Sequence, residues 1–468
     1  MKKNHKVLFI CFLFLIVSLA LFLASFCSVE SDYLWHIKAG EYMFHYGILK
    51  KDIFSWILSG NYWMSHEWLF EMMIYGMKQI FGNYHLFIYC FISLFSLLLL
   101  LFLPNKEKMK KNIPYSLIWI LFSFILCVNI QGRPHLLSYS FLAGTIYLCM
   151  RLYENKEDKW IYLLPLIGIL WSNFHGGSSN LVYLIPFLFF FIGNFHFQFK
   201  KIEANKMSKI QLKRYLFVTI LCMISVCINT HGFKMFIYPY SNMLNQTMIQ
   251  NINEWRCTSL SEPFHLVYFA LLLWIIGTLL FSKEKIRFLD VILLGFFIFL
   301  GLKSIRFWFY TYICSSYILF DYVSSRKMDR GTITSIIIFA CMLFGLFFVR
   351  RDSLKLKDYS YLLLEKDIEV IKKENPKRLF NMYDYGGDLI YNDILVFIDG
   401  RADLYSDYNY DDYLKISTLD YDTEKLIEKY DFDYFLVDKK YPISTYLNNN
   451  GKYQFIYQRD DILLYKKN

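Results

Sequence analysis

The sequence predicts a polytopic α-helical membrane protein of about eleven spans, with a small C-terminal α/β domain on the outer face. Three observations predict it. Of 468 residues, 56% are hydrophobic and 20% aromatic while only 19% are charged, with a mean hydropathy of +0.30; so apolar a chain needs a solvent other than water. Runs at 7–27, 86–103 and 266–281 carry no charge and approach or reach the roughly 20 residues that cross a hydrocarbon core. The charge is also divided: residues 1–349 hold 31 Lys and Arg against 17 Asp and Glu, whereas residues 350–468 hold 19 against 23. The net +10 therefore belongs to membrane-flanking loops, where it reports orientation and not a nucleic-acid partner.

Apolar runs place the spans near 7–27, 85–103, 113–130, 137–152, 160–174, 181–197, 215–229, 265–281, 288–302, 306–322 and 333–349. The first follows Lys2, Lys3 and Lys6, exceeds a usual signal-peptide core and lacks a small-x-small cleavage site, so it is expected as an uncleaved span. The ten cysteines lie mostly within spans and none form Cys-x-x-Cys, which suits small buried hydrophobes better than a zinc site or disulfides. With the N-terminus cytoplasmic, every inner loop is basic, 22 Lys and Arg in all against nine in the outer loops. An odd span count then puts residues 351–468 outside, although Arg350 and Arg351 run against it.

The same threading sorts the histidines. His36, His45, His66, His85, His135, His175, His231 and His265 fall in outer loops or at outer span ends, eight of ten on one face. Each alone reads as an ordinary interfacial side chain. Together with Glu30, Asp32, Glu67, Arg133, Glu254 and Arg306 they describe the lining of one outward-facing cavity.

Residues 28–84 form the longest loop among the spans. Trp35, Ala39, Tyr42, Met43 and Tyr46 recur at helical spacing until Gly47, and a second amphipathic stretch runs from His66 through Trp68, Met72, Tyr75 and Ile80 to Gly82. Two helices along the outer membrane surface are expected, their apolar faces in lipid or against the bundle. Residues 52–63 between them read as extended chain around a turn. Glu30-Ser31-Asp32 sets two carboxylates at the mouth of the bundle, with His36 one turn after Asp32. Such a pair suits accepting a proton from an acceptor, or holding a divalent cation against a phosphate leaving group. An acid-x-acid triplet beside a membrane is also an ordinary solvated loop, and spacing alone leaves both readings open.

Several stretches carry a resemblance: Glu30-Ser31-Asp32-Tyr33-Leu34-Trp35-His36, Asp52-Ile53-Phe54-Ser55, His66-Glu67-Trp68-Leu69, Gly132-Arg133-Pro134-His135, Asn173-Phe174-His175-Gly176-Gly177, Asn229-Thr230-His231-Gly232, Asn253-Glu254-Trp255 and Asp399-Gly400-Arg401-Ala402-Asp403. In their order along nearly the full chain they resemble the GT-C superfamily of membrane glycosyltransferases. The resemblance is to the branch with protein O-mannosyltransferases and the aminoarabinose transferase of lipid A, and more closely to a bacterial branch of that superfamily. It implies transfer of a sugar, usually with inversion, from a polyprenyl-phosphate-linked donor to an envelope glycan, lipid or protein acceptor at the outer face of a bacterial cytoplasmic membrane. It also implies Asp32 as general base or metal partner with Glu30 beside it, Mg2+ or Mn2+ being the cation such a pair would hold. Glu30-Ser31 stands where the branch more commonly has Asp-Pro, and Ser65-His66-Glu67-Trp68 replaces a Lys-Pro-Pro-type start, departures that leave metal and sugar open.

For such a donor the site needs positive charge at the departing phosphate. Arg133, His135, His175 and Arg306 stand at outer span ends to supply it, with His36, Asp52 and His231 as further polar contacts. The acceptor's proton falls to Asp32 or, second, to His66 or Glu67. Glu254-Trp255 suits a sugar hydroxyl and ring stacking. Snorkelling arginines and an interfacial tryptophan belt are the structural alternatives.

Residues 355–468 change register, alternating charge with short apolar runs. Helices are expected at 361–374 and 423–430, strands at 378–383, 395–399 and 434–437, and a hairpin from 453–457 and 462–465 through Arg459-Asp460-Asp461. Gly386-Gly387 and Asp399-Gly400-Arg401 mark tight turns. Asp399, Arg401 and Asp403 either join the cavity from above to bind acceptor, or form an Asp-Arg pair bracing a loop. Two rival functions stay open, a non-catalytic scaffold in envelope polysaccharide synthesis and a transporter or flippase; the second predicts mid-membrane acids where the ionisable groups here cluster at the outer rim. A metalloprotease is excluded, because Phe70 stands where His-Glu-x-x-His needs its second histidine.

Overall fold

The computed structural model describes residues 2–29, 31–123, 131–324, 338, 340–347, 362–406 and 408–468. It is mostly helical, with a small sheet domain at the C-terminal end. α1 (Lys2–Ala24) enters the bundle, and the first loop supplies α2 (Ser31–Tyr46) and α3 (Trp68–Phe81). The bundle continues with α4 (His85–Lys111), α5 (Ile113–Phe122), α6 (His135–Glu154), α7 (Leu164–Phe174), α8 (Leu181–Ile192) and α9 (Lys209–Val226). After α10 (Phe233–Leu244) and α11 (Gln246–Asn251) come α12 (Leu266–Phe281), α13 (Phe288–Lys303) and α14 (Trp308–Ile318).

The expected spans from 85 to 322 meet helices α4 to α9 and α12 to α14 in turn; residues 124–130 of the third span and residues 333–337, 339, 348 and 349 of the eleventh lie outside the described residues. Among the described residues two stretches, Trp68–Met109 and Pro263–Phe281, are long and apolar enough to cross a membrane on their own. The remaining helices fall short of that measure in length, hydropathy or charge. α14 is buried around its whole circumference and forms the bundle's centre. The segment between the expected spans 215–229 and 265–281 is largely helical, and Met235, Tyr238 and Pro239 bury one face of α10. On the other side β1 (Phe197–Phe199), β2 (Ile202–Ala204) and β3 (Ile286–Arg287) make a small three-stranded clasp.

The sheet of the C-terminal unit runs β4 (Leu379–Asn381), β5 (Tyr434–Asp438), β7 (Ile462–Lys467), β6 (Tyr453–Arg459) in space, with β4 parallel to β5 and the rest antiparallel. The helices Glu365–Glu374 and Thr423–Tyr430 and the hairpin fall where expected. Three expectations are corrected. Residues 395–399 do not join this sheet: the Val396 N–H donates to the Phe54 carbonyl at 3.0 Å and the Trp56 N–H to the Val396 carbonyl at 3.1 Å, so the segment pairs with the first loop. Gly386 and Gly387 open a helix, Gly386–Tyr391, and make no tight turn; the close approach is real, since a Cβ at Gly386 would enter the Asp399 backbone. The apolar face of α2 meets neither lipid nor the bundle alone. Trp35, Ala39 and Met43 sit in one core with Val396, Phe397 and Phe435, while Tyr33 and Ile37 on the opposite side join the bundle core. A helix with two apolar faces becomes the joint between two units.

Candidate functional site

A cavity of about 860 Å3, the size of a small-molecule site, opens at this joint. Two helices aim carboxylates and imidazoles into it by the same device. Asp32 and His36 lie four residues apart on α2, and Glu67 and Glu71 four apart at the start of α3, so each pair shares one face. Gly40 lets the helices touch, since a Cβ there would collide with the Glu71 carbonyl.

Asp32 is held on the wall by the Arg133 guanidinium, Nη2 to Oδ2 at 2.6 Å, and by the Trp35 indole N–H to Oδ1 at 3.3 Å. Arg133 also binds Glu254 at 2.8 Å. Burial works to raise Glu254, but Arg133, Arg306 and His135 together hold it below the usual carboxylate range. Gly400, from the C-terminal unit, packs directly on Asp32, and a Cβ there would fall on the Asp32 carboxylate.

The second cluster centres on Glu67. Its carboxylate lies 3.2 Å from His66 Nε2, 3.5 Å from His36 Nε2 and 3.6 Å from His175 Nε2. Glu71 lies 3.3 Å from His36 Nδ1 and accepts the Ser65 hydroxyl at 2.8 Å. Burial opposes charge on Glu67, but His66, His36 and His175 hold its carboxyl well below the usual range. Burial likewise opposes the His66 imidazolium, yet Glu67, Asp403 and Glu71 raise it to about 9. Tyr238 ties this group to the C-terminal unit, its hydroxyl donating to Asp403 Oδ2 at 3.1 Å and lying 2.9 Å from His66 Nδ1.

His175 behaves in the opposite way. Burial, with Arg306, His66 and His135 nearby, lowers it well below the ordinary imidazole range despite Glu67. Arg306 Nη2 lies 3.2 Å from His175 Nε2; a guanidinium only donates, so Nε2 accepts and the proton sits on Nδ1, 2.6 Å from the Ser138 hydroxyl. A neutral His175 thus aims Arg306, whose guanidinium also lies 5.4 Å from the Trp255 ring centre.

Of the residues expected from sequence, Asp32, His36, His66, Glu67, Arg133, His135, His175, Glu254, Trp255, Arg306 and Arg401 line this single cavity. Three are placed elsewhere. Asp52 and Asp399 face Arg401: Nη1 donates to Asp52 at 2.6 Å, Nη2 and Nε donate to Asp399 at 2.6 and 2.8 Å, and all three side chains are buried. Asp52 also accepts from the Ser55 hydroxyl at 2.7 Å, and although burial raises it, Arg401 and these donors win and its carboxyl is lowered. His231 lies behind Ser65, with the Tyr62 hydroxyl 3.1 Å from Nδ1; burial takes it down to about 4. Glu30 lies outside the described residues. Sequence reasoning missed Glu71 and Tyr238; the signal for Glu71 is its position one helical turn after Glu67, an acid in the otherwise apolar first half of α3.

No protein-family model matches the sequence, and the search of curated proteins finds no match. Among solved structures the chain is similar to the crystal structure of an Archaeoglobus fulgidus oligosaccharyltransferase in its apo form, at 11% identity and a TM-score of 0.49, over 88% of this chain. The match covers 66% of that chain, so this protein spans about two thirds of its length.

Proposed function

We propose that the protein is a membrane glycosyltransferase that moves a sugar from a polyprenyl-phosphate-linked donor to an envelope acceptor at the outer face of a bacterial cytoplasmic membrane. One observation supports the reading: one cavity, bordered by the first loop, an apolar bundle and the C-terminal unit, holds a carboxylate on one wall, Asp32, and an oriented guanidinium on another, Arg306. That is the pairing a displacement at an anomeric carbon needs. Asp32 takes the proton of the acceptor hydroxyl as its oxygen bonds to the sugar carbon. The bond from that carbon to the phosphate oxygen breaks, and its electron pair leaves with the phosphate. Arg306 and the charged His66 stabilise the negative charge that collects there. Trp255 and Glu254 border the same space and supply a stacking face and a sugar-hydroxyl acceptor.

The test is mass spectrometry of lipid-linked sugars and envelope glycans in cells with wild-type protein, no protein, or Asp32→Asn. The substitution is expected to reproduce the deletion, with donor accumulating and one glycan decoration lost. A deletion phenotype that Asp32→Asn rescues fully replaces the enzyme with the scaffold reading.

A further inference from the structure

The cavity walls differ in character. Arg133, His135 and Arg306 line the wall built by the bundle, whereas the C-terminal unit contributes Tyr383, Asp384, Tyr410, Leu414, Ser417 and Tyr441. Among the described residues the one basic lining residue of that unit is Arg401, whose guanidinium is taken by Asp52 and Asp399. We propose that the tyrosine-rich wall is a subsite for a neutral saccharide, an uncharged hexose or N-acetylhexosamine unit of a glycan, which presents the acceptor hydroxyl to Asp32. The acceptor role rests on the transferase reading; the binding of sugar does not.

Three features support it. The first is placement. Tyr410, Tyr413, Leu414 and Ser417 recur at three- and four-residue spacing on the helix Tyr410–Thr418 and so share the face turned to the cavity. The short helix Tyr383–Tyr385 packs beside it, the Tyr383 and Tyr410 rings lying 5.9 Å apart edge to face, and the Tyr383 N–H donates to the Tyr413 hydroxyl at 3.2 Å. Tyr383 and Asp384 are within electrostatic reach of Asp32, and Gly400 of the same unit packs on it.

The second is unused hydrogen-bonding capacity. Among the described residues the hydroxyls of Tyr383, Tyr410 and Tyr441 and the carboxylate of Asp384 have no hydrogen-bond partner, and none of these atoms is sealed off from the cavity. A sugar hydroxyl both donates and accepts, so it suits phenol and carboxylate alike, while the C–H faces of the sugar ring suit the phenol rings.

The third is charge and backbone. A phosphate or uronate on this wall would face Asp384 with no free cation opposite, since the nearby Lys440 ammonium pairs with Asp438 at 3.2 Å. The segments that present Tyr383, Tyr410 and Tyr441 are helical or lead into a helix, so no strand edge is offered to an extended peptide.

The experiment uses the full chain in detergent, without donor, mixed separately with maltotriose, triacetylchitotriose, tri-galacturonate and a serine-containing hexapeptide, and read by saturation-transfer-difference NMR. At least one neutral trisaccharide is expected to bind, and tri-galacturonate and the peptide are not. Tyr383→Phe and Tyr441→Phe, which keep the ring, should each weaken the neutral trisaccharide about 2- to 10-fold. Asp384→Lys, at an exposed position, should admit tri-galacturonate. Circular dichroism and size exclusion check that each variant is folded, and the wild-type pattern decides even where a variant fails. Wild-type protein that binds neither neutral trisaccharide, that prefers tri-galacturonate, or that binds the peptide instead overturns the proposal, as do folded Tyr383→Phe and Tyr441→Phe proteins that both bind like wild type. Sugar binding together with full rescue by Asp32→Asn in the cell experiment would keep the subsite and remove only its acceptor role.

Discussion

Two groups of buried charge share the seam between the first loop and the C-terminal unit, and they are built to opposite rules. In the Asp52, Asp399 and Arg401 group a fixed cation meets both acids in ideal geometry, the Ser55 hydroxyl and backbone N–H groups fill the remaining oxygens, and the Phe54 and Trp63 rings flank the guanidinium. In the Glu67 and Glu71 group the acids face imidazoles at 3.2 to 3.6 Å, and the Ser65 hydroxyl donates to Glu71. The first set is complete without protons or ligands and works as a joint. The second lines the cavity and relies on ionisable imidazoles, and so is available for chemistry.

The largest effect expected is on transfer. Asp32→Asn should lower it about 10²–10⁴-fold, measured as glycan product per molecule, without loss of fold. Next comes the joint: Arg401→Met leaves two buried acids uncompensated and should cost about 3–5 kcal/mol in detergent unfolding. A smaller loss is expected at Gly400→Ala, which pushes on the Asp32 carboxylate; a displacement of this kind lowers transfer up to about 10²-fold with stability close to wild type.

Acid pH separates the two groups further. The folded carboxyl of Asp52 is lowered, so its stabilisation is fully present above the unfolded value of 3.8 and is lost as pH falls through the folded value. In Asp52→Asn that part of the acid limb should vanish from unfolding curves taken between about pH 5 and pH 2. The smallest effect belongs to Glu71→Gln. Removing one of two neighbouring acids relieves repulsion while the Gln oxygen still accepts from Ser65, so stability should stay within about 1 kcal/mol of wild type.

Much of this was legible in the sequence where information is local. Helical spacing from Trp35 to Tyr46 and from Trp68 to Gly82 gave α2 and α3, and the outer-rim placement of His66, Arg133, His175 and Arg306 gathered residues that the structure brings to one cavity. What escaped was long-range. Residues 395–399 have the composition of a strand, but their partner is Phe54 to Trp56, some 340 residues earlier, and no periodicity announces that pairing. For the same reason Asp52 read as a cavity residue: its polar character is visible in sequence, while Arg401, which takes it up, is not. α2 was legible as amphipathic, but its second partner, the C-terminal core, was not.

The most direct test places Asp32→Asn and Arg401→Met side by side, measuring membrane abundance and glycan product per molecule in the same cells. The account predicts that Asp32→Asn is as abundant as wild type and inactive, while Arg401→Met is scarce yet active per folded molecule. An Asp32→Asn protein that transfers sugar normally, or an abundant Arg401→Met protein that does not transfer it, would contradict the division of the seam into a site and a joint.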